Sequence, residues 1–238
     1  MAQPATSSPA ATAYARTPLP GPAVPWRAAE FCVIDLETTG LDPAVDEVIS
    51  FAALQIVNGR LRLNDARYQQ IRPRRMPDGE TIRIHGLRSS DLVHAPPLSA
   101  VLDGLLEALT GKALVAHVAS VEKEFLAAAL HPYGLRLSNP IVDTAALAAE
   151  LFKRRGQELP DAVGLSPLAR ALGLPIHRPH HADGDALTTA QVFLALATHL
   201  DVLERQTVGS LVGLGNRTRG WSTLRPALAR AVARLTRR

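Results

Sequence analysis

The stretch FCVIDLETTG, residues 31–40, places four apolar residues before two acidic residues that Leu36 separates. The apolar run is short and rich in residues that favour β-structure, which predicts a buried strand. Because side chains alternate along a strand, Asp35 and Glu37 point to the same side of it. Two like charges at the end of a buried strand are costly unless something neutralises them.

The bulk composition is that of one sizeable domain, alone or with appendages. The chain has 238 residues, of which 47% are hydrophobic, as in ordinary globular proteins. The net charge of +4 suits an anionic partner such as nucleic acid, although arginine-rich and alanine-rich chains are often basic for compositional reasons alone. No run of about 18 apolar residues occurs, so we expect no membrane span. The single cysteine, Cys32, fits a small core residue in a reducing, cytoplasmic setting.

The two ends of the chain differ in composition from its middle. Residues 1–28 are rich in Ala, Pro, Ser and Thr and lack the pattern of a secretory signal, so we expect a disordered lead-in. An organellar transit peptide is the alternative, with thin support from Arg16. The predicted domain covers residues 29–200. The basic remainder, residues 201–238, is predicted to be a separate, partly helical tail. Its arginines either bind a phosphate backbone or lie on a solvated helix face.

Within residues 29–200, strand patterns come first and then alternate with helix patterns. Residues 47–57 and 60–73 continue from the first strand through short turns, which predicts an antiparallel meander. Residues 77–97 carry turn residues and are expected to be irregular. Further strands are predicted at 112–117 and near Ile141, and helices at 98–109, 121–131, 143–152, 165–172 and 185–199. The order predicts an α/β fold in which a mixed sheet, an antiparallel meander plus parallel strands, is flanked by helices.

Two further carboxylates fall on apolar faces of predicted helices. At about 100° per residue, Glu122 lies in the middle of the apolar arc that includes Phe125, and Asp185 lies close to Leu196. Four carboxylates from three elements therefore face inward. Either each has its own arginine or backbone partner, or they converge on hard divalent cations such as Mg²⁺ or Mn²⁺. Zinc is less suited, because no close Cys/His set accompanies them.

Three histidines, His177, His180 and His181, precede Asp185. Pro179 disfavours helix in the residue before it, so we expect the histidines in a loop. A loop histidine beside a metal site is suited to act as a general base. The alternative is a solvated histidine cluster.

Read together, DLETTG, AHVASVEKEFL and HHADGDA resemble the three motifs of the DEDD exonucleases with histidine in the third motif. These are the DnaQ-like 3′→5′ exonucleases, which have a ribonuclease H-like fold, and the resemblance runs from about residue 31 to residue 200. It implies a two-metal site for Mg²⁺ or Mn²⁺ that hydrolyses terminal phosphodiesters of DNA or RNA to nucleoside 5′-monophosphates. The pattern His-x-Ala-x-x-Asp selects His180 as the general base. The implied metal ligands are Asp35, Glu37, Glu122 and Asp185.

The resemblance also implies a substrate subsite. Thr38, Thr39 and Gly40 match the segment that lines the terminal nucleotide, Leu41 matches an apolar wedge beside the last base, and His85 is expected near the nucleotide. The implied partners are single-stranded 3′ ends of DNA or RNA, together with a DNA polymerase.

The second motif departs from the family pattern. Glu122 stands where Asp is usual, and Val118 replaces an Asn. Glutamate keeps the charge and reaches about 1.5 Å further, which is compatible with metal binding. The alternative function is therefore a non-catalytic module that binds 3′ ends or associates with a polymerase through a weakened site.

Other candidate residues are given structural roles. Asp143 is expected to cap a helix, and His117 to pack near the site without acting on substrate. GLGNRTRG, residues 213–220, is not a dinucleotide-binding pattern, and the chain has no nucleophile-elbow sequence for Ser/His/Asp hydrolysis.

Overall fold

The computed structural model describes residues 8–159 and 164–217, and it contains one mixed five-stranded sheet. The strands are β1 Phe31–Thr38, β2 Val48–Val57, β3 Arg60–Gln70, β4 Ala113–Ala116 and β5 Ile141–Asp143. Their order in the sheet is β3-β2-β1-β4-β5. The first three form an antiparallel meander, whereas β4 runs parallel to β1 and β5 parallel to β4. The predicted fold class, a ribonuclease H-like mixed sheet, is confirmed.

Helices cover both faces of this sheet. They are α1 Pro9–Arg16, α2 Gly79–His85, α3 Ser89–Leu92, α4 Leu98–Leu109, α5 Ser120–Leu130, α6 Thr144–Arg154, α7 Leu165–Ala171, α8 Ala182–Leu203 and α9 Val208–Arg217. One core cluster joins the sheet to α6–α9, and a second joins its other face to α1, α4 and α5.

Alternation along β1 decides which face each carboxylate occupies. Phe31 and Val33 pack in the α8 cluster, where the rings of Phe31 and Phe193 lie 5.0 Å apart. Cys32, on the opposite face, is fully buried, and burial raises the pKa of its thiol to about 12. Asp35 and Glu37 continue the parity of Phe31 and Val33, so they extend toward the face that α8 covers.

Helix α8 is the one described helix whose length and apolar composition would allow it to cross a membrane, with a mean hydropathy of 1.4. Half of that window is buried inside the protein, where Phe193 and Leu196 are fully enclosed. The apolar sequence of α8 therefore builds the core that fixes its first turn against β1.

The predicted disorder of residues 1–28 is wrong for the described part of that segment. Helix α1 buries Ala11 and Tyr14 against the α4 side of the core. The Tyr14 hydroxyl donates a hydrogen bond to Oδ1 of Asn139 over 2.8 Å. An Ala-rich and Pro-rich composition carries little apolar surface by itself, and the docking partner that makes α1 stable lies about a hundred residues away in sequence.

The predicted boundary at residue 200 and the separate tail also need correction. Helix α8 continues to Leu203, and α9 buries Val208 and Leu211 in the same core cluster as the sheet. The backbone N–H of Val208 donates to the carbonyl of Val24, so the lead-in and the start of the tail are joined. The arginines at 225, 230, 234, 237 and 238 lie outside the described residues.

Residues 77–97 are not wholly irregular, because they contain α2 and α3. Asp78 caps α2 by accepting from the N–H groups of Glu80 and Thr81, and Gly86 ends the helix in a left-handed conformation with φ of 74°. These short helices have too few residues to show a helical period, but the cap and the terminating glycine were readable signals.

Candidate active site

Three carboxylates meet where β1 ends and α8 begins. Asp35, Glu37 and Asp185 each offer an oxygen, and these oxygens all lie within 4.8 Å of one another. We call these three residues the acidic cluster. Strand alternation brings the first two to the α8 face, and the first turn of α8 adds the third. The cluster joins residues that are 150 positions apart in sequence.

Glu122 lies beside the acidic cluster but outside the group whose oxygens meet. It belongs to the first turn of α5 and is 7% exposed, which confirms that its side chain faces inward. After burial, the charge of Glu122 is the next largest cause that raises the pKa of Asp35. Its Oε2 is buried without a hydrogen-bond partner among the described residues. A fourth carboxylate thus stands next to the cluster with one oxygen unused.

The electrostatics of the four carboxylates are unfavourable as they stand. Burial, followed by the charges of neighbouring carboxylates, raises the pKa of Asp35 well above its ordinary value. Burial is also the first cause that raises the pKa of Glu37 and of Glu122, each to about 8. No ion pair joins any of the four to a lysine or arginine within the described ranges. Of the arginine or backbone partners raised as the alternative, the described residues supply no arginine, whereas Asp185 accepts one backbone N–H, that of His180.

This donor set fits a divalent metal centre. Carboxylate oxygens are the ligands that Mg²⁺ and Mn²⁺ prefer, and a bound cation would remove the mutual repulsion that raises these pKa values. The unpartnered Oε2 of Glu122 gives one more acceptor that such an ion could use.

The histidines lie in the loop before α8, as predicted. His180 is exposed, and its backbone N–H donates to Oδ2 of Asp185 over 2.8 Å. His181 occupies the N-cap position of α8, next to Gly86. His177 is held elsewhere, because its ring nitrogen Nε2 lies 3.3 Å from Oε1 of Gln191.

Gly184 allows this loop to pass close to α8. A Cβ at residue 184 would overlap the carbonyl oxygens of His177 and Arg178. The loop itself is strained, since Arg178 and His180 have positive φ values of 28° and 61°. Sequence reasoning missed Gly184, although a glycine in the first turn of a helix is an unusual choice and could have drawn attention.

Hydrogen bonds tie the TTG segment, residues 38–40, to Asp46 and Glu47 further along the same loop. The Thr39 hydroxyl donates to Oδ1 of Asp46 over 3.0 Å, and the Thr39 N–H donates to the carbonyl of Glu47 over 2.9 Å. A Cβ at Gly40 would overlap the Asp46 carboxylate, so any larger residue there would displace that side chain. Leu41 follows and is 51% exposed. Asp46, the residue around which this loop closes, was not identified from the sequence.

Thr38 and His85 complete the set of predicted substrate residues. The Thr38 hydroxyl donates to the carbonyl of Gly40 over 2.6 Å and so supports the same loop. Nδ1 of His85 accepts the N–H of Leu87 over 3.0 Å, which leaves the proton of the neutral ring on Nε2. That Nε2 is buried without a partner among the described residues. Burial, then the charge of His181, lowers the pKa of His85 to about 4, so the ring stays neutral at physiological pH.

The structure therefore combines a ribonuclease H-like mixed sheet with a carboxylate cluster at the end of its central strand and with histidines in the adjoining loop. Residues 32–193 match the profile of the family described as Exonuclease (RNase_T). The chain belongs to this exonuclease family, and the DnaQ-like resemblance is confirmed.

Curated relatives are much longer than this chain. A PolC-type DNA polymerase III of Thermotoga petrophila is 37% identical over 167 residues, which is 70% of this chain and 12% of that protein. A DNA polymerase III subunit epsilon-like protein of Rhodobacter capsulatus is 32% identical over 185 residues, 76% of this chain and 26% of that protein. The chain therefore spans about an eighth to a quarter of the length of these relatives.

Solved structures share the fold. Exonuclease X in complex with 5′ overhanging duplex DNA aligns with a TM-score of 0.60 and 18% identity, covering 77% of this chain and 98% of that one. The nuclease domain of 3′hExo, a DEDDh family member bound to rAMP, aligns with a TM-score of 0.59 and 18% identity, covering 76% of this chain and 96% of that one. At such identity the likeness establishes the architecture alone.

Proposed function

We propose that this protein is a metal-dependent 3′→5′ exonuclease that releases nucleoside 5′-monophosphates from DNA or RNA. The observation that carries the proposal is the convergence of Asp35, Glu37 and Asp185 within 4.8 Å, with Glu122 buried beside them. Membership of the exonuclease family supports it.

Asp35, Glu37, Glu122 and Asp185 would hold two Mg²⁺ or Mn²⁺ ions. Bound ions of this kind supply positive charge that stabilises the attacking and leaving oxygens of a phosphodiester. The carboxylates of this chain contribute the negative charge that retains the ions, and their unfavourable electrostatics in the absence of a cation support the assignment.

His180 would take the proton from the attacking water. Its ring is exposed on the strained loop, while its backbone is tied to Asp185, so the imidazole stays at the mouth of the site. Proton removal at this position makes the water a better nucleophile as it approaches the phosphorus.

The TTG loop and His85 would position the terminal nucleotide. Hydrogen bonds hold the loop formed by Thr38, Thr39 and Gly40, which would line one side of the nucleotide. The exposed Leu41 would lie against the last base. His85 would present a fixed N–H donor, because its other nitrogen is committed to Leu87. A loop and a donor that are already held in place lower the entropy cost of binding the substrate in a reactive geometry.

Single-stranded 3′ ends are the proposed ligands, a DNA polymerase is the proposed partner, and the cytoplasm is the proposed location. The relatives named as PolC-type DNA polymerase III and as an epsilon-like subunit support the polymerase association. Exonuclease I, solved with a dT13 oligonucleotide, shares the fold at 17% identity, so single-stranded DNA is the first substrate to test.

The test is degradation of 5′-labelled single-stranded DNA and RNA with Mg²⁺, Mn²⁺ or EDTA. We expect a ladder of progressively shorter labelled products, because removal of nucleotides from the 3′ end preserves the 5′ label. EDTA should prevent the ladder from forming. Asp35→Ala and Asp185→Ala should abolish the ladder without loss of the fold, whereas Asp65→Ala, at an exposed position of β3, should retain it. Immediate release of labelled mononucleotide would overturn the direction, and full activity in either site variant would overturn the mechanism.

A non-catalytic 3′-end-binding module is the second candidate. Glu122 in place of the usual Asp and Val118 in place of the usual Asn are the observations that favour it. Tight binding of the same oligonucleotides without metal-dependent shortening would support this module over the enzyme.

A further inference from the structure

Asp143 does more than cap the helix that follows it. Its Oδ1 accepts the N–H of Ala145 over 2.9 Å, which is the predicted N-cap bond of α6. The same oxygen accepts the N–H of Val118 over 3.1 Å. Strands β4 and β5 are paired so that Ala116 lies opposite Asp143, and this register brings the end of β4 within reach of the carboxylate. One half-buried side chain therefore joins the start of α6 to the turn that precedes α5.

Helix α5 has no cap of its own. Its N-cap residue is Ala119, which makes no side-chain capping bond. Burial raises the pKa of Asp143, and backbone hydrogen bonds from Ala145 and then Val118 oppose that rise. From β5, Asp143 thus holds the backbone of the residue that precedes the N-cap of α5.

The turn that Asp143 holds is strained. Val118 has a φ of 57°, in the left-handed region that β-branched residues rarely adopt. Such a conformation persists only where surrounding contacts enforce it. The hydrogen bond from the Val118 N–H to Asp143 is one such contact, and the ring of His117 adds another at 2.8 Å from the Thr144 hydroxyl.

The strained turn leads directly to Glu122. The N–H of Val121 donates to the carbonyl of Val118 over 3.2 Å, and the N–H of Lys123 donates to the carbonyl of Ala119 over 3.1 Å. These bonds form the first turn of α5, and Glu122 lies between their donors. A change in the backbone at Val118 would therefore rotate or translate Glu122 relative to the acidic cluster.

We propose that Asp143 is a positioning residue for the active site: by accepting the Val118 N–H from β5 it holds Val118 in its left-handed conformation and thereby fixes Glu122. The role rests on the proposed function, in which Glu122 helps to retain the metal ions. Asp143 itself touches neither substrate nor ion on this assignment.

The test is a double-mutant cycle of Asp143→Ala and Val118→Gly. Glycine adopts positive φ without strain, so it should preserve the turn when the carboxylate is gone. Asp143→Ala should lower kcat at saturating oligonucleotide at least tenfold, weaken Mn²⁺ binding measured by calorimetry, and speed amide exchange over residues 118–124. Val118→Gly alone should stay within about twofold of wild type, and the double variant should recover most of all three losses.

Absence of recovery in the double variant would overturn the proposal, because it would assign Asp143 to the α6 cap alone. Should Asp143→Ala not fold, Asp143→Ser replaces it, since serine is a good cap for α6. Amide exchange reports on the turn whether or not the protein cleaves. A wild-type protein that fails to cleave would therefore contradict the proposed function. Exchange in the variants would still confirm or reject the positioning role.

Discussion

The backbone N–H of His180 donates a hydrogen bond to Oδ2 of Asp185 over 2.8 Å. A candidate metal ligand therefore also fixes the loop that carries the candidate general base. The bond uses the backbone of residue 180, so the imidazole can be removed without releasing the loop. This separation makes the base testable by itself.

His180→Ala is expected to lower kcat by about 10²- to 10⁴-fold, the usual contribution of a general base, with little change in KM. His181→Ala, the matched control in the same loop, should change kcat by less than about tenfold, because His181 is out of register with the His-x-Ala-x-x-Asp pattern. Steady-state kinetics on single-stranded DNA measures both variants. Equal losses would show that the register is wrong.

Gly184→Ala should displace the loop that bears His180, because the added methyl group overlaps two backbone carbonyls that cannot rotate away. We expect a loss of about 1–3 kcal/mol in the free energy of unfolding, together with reduced kcat. Gly213→Ala in α9 is the control, since nothing lies within 4 Å of a Cβ there and alanine favours helix. Urea unfolding compares the two, and equal stability of both variants would contradict the close approach.

The stability of the metal-free protein should fall as the pH rises from about 5 to about 8. Glu37 and Glu122 each have a folded-state pKa of about 8 against an ordinary value of 4.5. Between these values the folded protein binds more protons than the unfolded chain, so the free energy of unfolding decreases with pH. Scanning calorimetry in EDTA should show Tm lower at pH 8 than at pH 5 by at least about 5 °C.

Mn²⁺ should reverse this fall, because an ion that binds the ionised carboxylates of the folded state stabilises it. The double variant Glu37→Gln/Glu122→Gln provides the control and should show a smaller dependence of Tm on pH. An unchanged slope in that variant would assign the effect to other groups.

Tyr14→Phe should destabilise the protein by about 1–3 kcal/mol, because it leaves the buried Oδ1 of Asn139 without its donor. Tyr68→Phe changes the same atom at a position that is 44% exposed, and it should alter stability by less than about 0.5 kcal/mol. Urea unfolding followed by circular dichroism measures both. A Tyr14 variant as stable as the Tyr68 variant would show that α1 is not held by this bond.

Much of the site was predictable because its signals are local. Two carboxylates at alternate strand positions share a face by geometry, and Glu122 among apolar helix positions had to point inward. The loop position of the histidines followed from Pro179. Each of these inferences depends on a backbone period of two or of 3.6 residues, which the sequence displays directly.

Contacts between distant segments were not predictable in this way. The docking of α1, the closure of the TTG loop around Asp46, and the passage of the histidine loop over Gly184 depend on which surfaces meet in space. Asp143 shows the difference most clearly. Its role as the cap of α6 was readable from the next few residues, whereas its bond to Val118 exists only because β4 and β5 pair in one register.

The sequence by itself determined the class of fold, the family and the identity of the acidic residues, since these rest on local periodicity and ordered motifs. The tertiary structure decided which of them meet, that Asp35, Glu37 and Asp185 come within 4.8 Å, and that Glu122 depends on a strained turn held from another strand. The physical reason is that hydrophobic patterning fixes which face of each element is buried, while sheet register and close backbone approach fix the distances between elements.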